Sequence, residues 1–150
     1  MTADTTFPDP SDAAPGPSPS GVVELTIPVE SDLLVLARLA VSTISSRSGF
    51  DIEEIEDLRL AVDELCLSVL DGRRSGRLHL RFDGLPARIE VACHYEGDEP
   101  APDRNREDRD DLTEELSGRI LDALVDEHGP VDRDGRRGAH LAKRRAERDV

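Results

Sequence analysis

The chain has 150 residues and a formal net charge of −14 at pH 7, because 33 acidic residues outnumber 19 basic ones. This length suits one compact domain, which buries enough apolar surface to be stable without metals or disulfides. The negative charge argues against binding to nucleic acid or to anionic membrane surfaces, since both carry charge of the same sign. The same negative charge favours a basic protein as the binding partner.

The N-terminal stretch 1–21 is rich in Pro, Ser, Asp and Ala. It has too little apolar surface to offset the entropy of ordering, so we predict a disordered arm. The first residues also lack the basic start and apolar core of a signal peptide, and no run of about eighteen apolar residues occurs in the chain. We therefore expect a cytoplasmic protein that does not contact a membrane.

The two cysteines, Cys66 and Cys93, are far apart in the sequence and have no CxxC or Cys/His ligand spacing. This spacing gives no support to a zinc site. In a reducing compartment the expected state is two reduced thiols packed as small apolar groups. A redox disulfide between them is the alternative.

The first predicted elements are a strand and a helix. Alternating apolar residues from Val22 to Pro28 indicate a strand with one buried face. Ser31 is the predicted cap of a helix that ends before Gly49. Its apolar positions recur at intervals of three and four: Leu33, Leu36, Ala37, Ala40 and Ile44.

A second amphipathic helix begins at Asp51, which forms a capping box with Glu54, and ends at Asp71-Gly72. The predicted buried stripe consists of Ile55, Leu58, Val62, Leu65 and Val69. Two alternating segments follow and predict a hairpin with its turn beginning at Asp83-Gly84. Their core residues are Leu78, Leu80, Phe82, Ile89, Val91 and Cys93.

The segment 96–115 contains ten acidic residues, three arginines and two prolines, which predicts a solvated acidic loop. Asp111, with Glu114 three residues later, is the predicted cap of a third helix. The buried face of that helix is predicted from Leu116, Ile120, Leu121, Leu124 and Val125. A final hairpin turns at Asp134-Gly135, and 145–150 is expected to fray.

This order of elements predicts an α+β fold over 22–144. The expected architecture is a two-layer sandwich, with helices on one face of a mixed, mostly antiparallel sheet. Such an architecture does not by itself define a function.

Within the second helix, the segment Asp57 to Cys66 (DLRLAVDELC) resembles the asparagine-box helix of the RsbW/SpoIIAB anti-sigma kinases of the GHKL ATPase superfamily. The segment 117–127 resembles the glycine-box helix that follows the family's ATP lid. Gly138-Ala139 stands where the last hairpin usually has Gly-Thr. The resemblance implies the GHKL (Bergerat) ATP-binding fold, with 96–115 as the lid.

The resemblance also implies which residues would bind ATP and Mg²⁺. Glu64 matches the catalytic acid, and Ser68 stands at the position of the metal-binding Asn. Of the DxGxG box only Gly97 is kept, with Tyr95 in place of the Asp that reads adenine, whereas Gly118 is kept in the second box. These departures, and the charge of the lid, predict that ATP and Mg²⁺ binding is weakened or lost.

For partners, the resemblance implies that Arg38 contacts both a sigma factor and its antagonist. The resulting hypothesis is an anti-sigma factor that sequesters an alternative sigma factor, is released by a STAS-domain anti-anti-sigma factor, and can form a homodimer. The alternative is an active serine kinase that phosphorylates the antagonist with Glu64 as base. Other acidic adaptor roles stay open.

Overall fold

The structure is a computed structural model that describes residues 21–98, 107–133 and 136–147, with the backbone alone for 107–111 and 133. The predicted arm therefore lies almost wholly outside the described residues, as does much of the predicted loop. The elements in chain order are β1 (Val22–Pro28), a 3-10 turn (Ser31–Leu33), α1 (Leu34–Arg47), α2 (Ile52–Leu70), β2 (Arg77–Leu85), β3 (Arg88–Glu96), α3 (Glu107–Leu124), β4 (Glu127–Arg133) and β5 (Arg136–Arg144).

The five strands form one sheet in the order β1-β2-β3-β5-β4. Every strand pairing in it is antiparallel, so the expectation of a mixed sheet is wrong. The helices pack on the sheet, α1 against β2 and α2 against β3 and β5. The predicted α+β sandwich of two layers is confirmed.

The core lies between the sheet and the helices, and α2 contributes most of its helical side. The predicted stripe of α2 is confirmed, since Leu58, Val62, Leu65 and Val69 are buried and Ile55 packs against them. In β2 and β3 the core residues predicted from alternation are also buried, whereas in β1 Ile27 is buried and Val23 is exposed. None of the described helices combines the length and apolar character needed to cross a bilayer.

The predicted capping box at the start of α2 is confirmed. Glu54 N donates to Asp51 Oδ1 at 2.8 Å, and Asp51 N donates to Glu54 Oε1 at 3.1 Å. The other Glu54 oxygen accepts from Ala146 N at 2.9 Å, and Arg145 N donates to Ala87 O at 2.8 Å. The expectation that the chain frays from residue 145 is therefore wrong for 145 and 146, because these backbone groups bind the domain.

Glu54→Ala should lower the free energy of unfolding by about 1–3 kcal/mol, because the buried carboxylate accepts hydrogen bonds from two separate parts of the backbone. Chemical denaturation checks this. Glu53→Ala is the matched control, since Glu53 lies in the same helical turn but is exposed. Equal losses for the two variants would contradict the assigned role of Glu54.

Several predicted boundaries are wrong for local reasons. Ser31 forms no side-chain cap, because the 3-10 turn precedes α1 and α1 begins only at Leu34. The hairpin turn lies after Leu85, where Ala87 has a φ of 57°. Gly84 is instead a buried strand residue, and a Cβ on it would lie 2.9 Å from Ile44 Cγ2, so its glycine allows α1 to approach the sheet.

The third helix also begins earlier than predicted, at Glu107 instead of Asp111, so 107–115 is helical. Acidic residues are favourable near a helix N-terminus, which explains why a charged segment continues the helix. On the helices, three residues predicted to be buried are exposed instead: Leu36, Leu116 and Ile120.

The two cysteine thiols are free, buried and in contact, as expected of reduced thiols in a core. Cys93 hydrogen-bonds to Cys66, and this bond together with burial raises the pKa of the Cys93 thiol well above its usual value. Such thiols react poorly, because the thiolate is the reactive form.

Candidate functional site at the α2–α3 cleft

Helix α2 carries ion pairs on both of its flanks. On one flank, Asp63 Oδ1 lies 3.4 Å from Arg38 Nε of α1. On the other, Asp57 and Asp71 are fourteen residues apart, which is close to four whole turns, so they lie on one side of the helix. Their partners are two cations of β5: Lys143 Nζ lies 3.9 Å from Asp57, and an Arg137 nitrogen lies 3.6 Å from Asp71.

The same two cations reach α3. Lys143 Nζ donates to the carbonyl of Leu124, the last residue of α3, at 2.8 Å. Arg137 also lies 3.7 Å from Glu114, near the other end of that helix. Helices α2 and α3 therefore run antiparallel, with a bridge from β5 at each end. The space between these bridges is called the α2–α3 cleft below.

Glu64 and Ser68 lie on the α2 side of this cleft. Glu64 is seven residues from both Asp57 and Asp71, and Ser68 is one turn beyond Glu64. Both side chains are partly buried. Ser68 Oγ donates to the carbonyl of Leu65 at 2.9 Å, so its hydrogen is used within the helix.

Leu116 and Ile120 lie on the exposed side of α3, whereas Gly118 faces β4. Asp122 lies 2.6 Å from His128 of β4, and a Cβ on Gly118 would be 4.0 Å from the same ring, so both face β4. Leu116 and Ile120 each lie two residues before one of these, about 200° around the helix. They therefore face away from β4, and both are exposed to solvent.

The glycine at position 97 is explained by the packing of the Tyr95 side chain beside it. A Cβ on Gly97 would overlap the Tyr95 hydroxyl and lie 2.7 Å from Cζ, and a Cβ on Gly76 would lie 2.8 Å from the same hydroxyl. Tyr95 is buried, donates to the carbonyl of Ser75 at 2.8 Å and has the Arg73 guanidinium 4.8 Å from its ring centre. Gly76 and Gly97 both lie against the Tyr95 hydroxyl in the structure, and their lack of a side chain permits this packing.

Gly97→Ala should cost about 1–3 kcal/mol of stability, because the added methyl group displaces the Tyr95 ring from a packed position. In a Tyr95→Ala background the same change should cost little, giving a large coupling in a double-mutant cycle. Chemical denaturation measures both.

Gly118→Ala is the control for this cycle, and it should be neutral or stabilising by up to about 1 kcal/mol, since alanine favours helix and the site is open. If Gly97→Ala costs the same with and without the Tyr95 ring, the packing explanation is wrong.

The candidate oxygen ligands on the Ser68 side of α2 are its own hydroxyl and the carboxylates of Glu64, Asp57 and Asp71. Among the residues that the structure describes, no three His, Cys, Asp or Glu side chains are grouped to hold a metal. The carboxylates that share this side of α2, Asp57 and Asp71, are already paired with cations. Mg²⁺ prefers octahedral oxygen ligands.

Arg38 lies on the opposite flank of α2 from Glu64, so the structure does not bring these two predicted site residues together. Its side chain is about one-third exposed, at 37%, and is held by Asp63. Burial raises the pKa of Asp63, and the nearby Arg38 opposes this shift. Three exposed apolar residues accompany Arg38 on α1: Val35, Leu36 and Leu39.

No family model matches the chain. Over 90 residues the chain is 31% identical to the serine-protein kinase RsbW of Bacillus subtilis, covering 57% of this chain and 56% of the relative. Over this part of its length the chain is similar to the RsbW serine-protein kinases. RsbW of Halalkalibacterium halodurans is 34% identical over 77 residues (50% of this chain, 48% of the relative), and RsbW of Listeria innocua is 33% identical over 75 (45% and 48%). The predicted resemblance is confirmed, and the chain spans about half the length of the curated relatives it matches.

Proposed function

We propose that the protein is a cytoplasmic anti-sigma factor that binds an alternative sigma factor and is released by a STAS-domain anti-anti-sigma factor. The observation that carries this proposal is the surface of α1, where a held arginine lies among exposed apolar side chains. A homodimer is compatible with this function, as the family resemblance implies.

The α1 surface has the properties of a protein-binding site. Val35, one turn before Arg38, and Leu39 are exposed near it, although α1 packs on the sheet through its other face. The ion pair with Asp63 limits the freedom of Arg38 before binding, which reduces the entropy lost on association. The net charge of −14 would speed the encounter with a basic partner.

The nucleotide site is proposed to be degenerate. Two observations support this: Tyr95 is packed in the core at the position where the family has a carboxylate, and Gly118 faces β4. The scaffold would then serve a protein-binding surface without nucleotide chemistry.

Arg38→Ala should weaken binding to the sigma factor at least about tenfold, because arginines at the centre of interfaces often contribute more than 1 kcal/mol. The partner is first recovered by pull-down with the full chain against the host's sigma factors, and affinity is then measured by interferometry. Arg81→Ala is the control, since Arg81 is exposed on β2, away from the helices. Recovery of no sigma factor, or equal effects of the two variants, would contradict the proposal.

A serine kinase is the second candidate, favoured by the names of the relatives and by the position of Glu64 in the cleft. Here Glu64 would orient and deprotonate the serine hydroxyl of the antagonist. Transfer of labelled phosphate from ATP to a STAS-domain protein, lost in Glu64→Gln, would establish this activity in place of simple sequestration.

A further inference from the structure

Strand β1 lies at one edge of the sheet, and within the described part of the chain no strand pairs with its outer side. The strand at the opposite edge, β4, contains Pro130, and a proline inside an edge strand discourages further pairing because it has no N–H group. From Val22 to Ile27, β1 has no proline and only one charged residue, Glu24. The β1 edge is therefore the less protected of the two.

The backbone groups on the outer side of β1 can be assigned from one hydrogen bond. Val29 N donates to Gly76 O at 2.9 Å, and this pair continues the register of β1 with β2. Hydrogen-bonded and non-hydrogen-bonded pairs alternate along an antiparallel ladder, so the odd-numbered residues of β1 bond to β2. The N–H and C=O groups of Glu24 and Thr26 therefore point away from the sheet.

Exposed apolar side chains accompany this edge on the side of the sheet that the helices cover. Val23 shares the inward face of β1 with the buried Ile27, but it is 39% exposed. On α1, Leu36 is 40% exposed and lies two residues before Arg38, about 200° around the helix. Arg38 faces α2, and α2 packs on β3 and β5, so Leu36 lies on the flank of α1 that is nearer to β1.

The β1 edge is complementary to a second copy of itself. With the strands antiparallel and Leu25 opposite Leu25 of the second copy, Glu24 is opposite Thr26, and Val23 is opposite Ile27. The outward backbone groups of Glu24 and Thr26 then meet in hydrogen-bonded pairs. A slip that placed the two Glu24 carboxylates directly opposite would be unfavourable, because like charges at such positions are destabilising.

We propose that β1 forms the interface of a homodimer in which two copies join their sheets edge to edge, with the two β1 strands antiparallel. In the register given above, the inward faces of both copies lie on the same side, so the exposed Leu36 side chains approach each other over the joined strands. The inference rests on the proposed function only in that it names the surface of the homodimer which that function allows. It uses no part of the surface around Arg38.

Sedimentation equilibrium of the full chain at about 0.15 M salt, which screens the repulsion between two copies of charge −14, tests this proposal. The expected species is a dimer of the 16.5 kDa chain. Val23→Lys should raise the dimer dissociation constant at least about tenfold, because an inward-pointing charge blocks pairing at an edge. Val35→Lys is the matched control, since Val35 is also 39% exposed but lies on α1 away from β1.

Hydrogen exchange of individual amides, followed by NMR, locates the interface. The N–H groups of Glu24 and Thr26 should be protected at high protein concentration and exchange fast after dilution. A monomer at all concentrations, equal effects of Val23→Lys and Val35→Lys, or a dimer in which these two amides exchange fast would overturn the proposal. Protection that does not depend on concentration would also overturn it, because another segment of the same chain would then cover the edge.

Failure of this inference is distinguishable from failure of the proposed function. A monomeric chain that still recovers a sigma factor in the pull-down contradicts only the β1 interface. A dimer with the expected exchange pattern that recovers no sigma factor supports the interface and removes only the proposed function.

Discussion

The packing of helix α2 on the sheet determines where α1 and α3 lie. One face of the helix, including Leu58 and Leu65, is fully buried on the sheet, and its two flanks are held by charges from different elements. Arg38 of α1 pairs on one flank, and two cations of β5 bridge the other flank to α3. Because both neighbouring helices are positioned through α2, the two candidate surfaces share one framework while facing different ways.

Much of this framework could be predicted where the signals are local. The limits of α2 follow from its capping box and from apolar residues spaced by three and four, and both agree with the structure. Periodicity cannot tell an apolar side chain packed in the core from one exposed to solvent. It therefore predicts that Leu36 and Leu116 are buried, whereas the structure exposes both. The bridge from Lys143 to Asp57 joins residues far apart in the chain and has no sequence signal.

The packing around Gly97 gives a reason for its glycine that the sequence alone does not show. The resemblance assigns Gly97 to a nucleotide box, but in the structure the space beside it is filled by the ring of Tyr95. A kept glycine therefore reports only that something approaches the backbone closely, and the neighbour must be seen before its role is assigned. Gly84, which admits Ile44, makes the same point.

We propose that the site around Glu64 and Ser68 does not bind nucleotide tightly, and a calorimetric titration of the full chain with Mg-ATP tests this proposal most directly. The account predicts no saturable binding tighter than about 100 μM, which corresponds to about −5.5 kcal/mol. Saturable binding tighter than this limit, abolished by Glu64→Ala or Ser68→Ala, would contradict it.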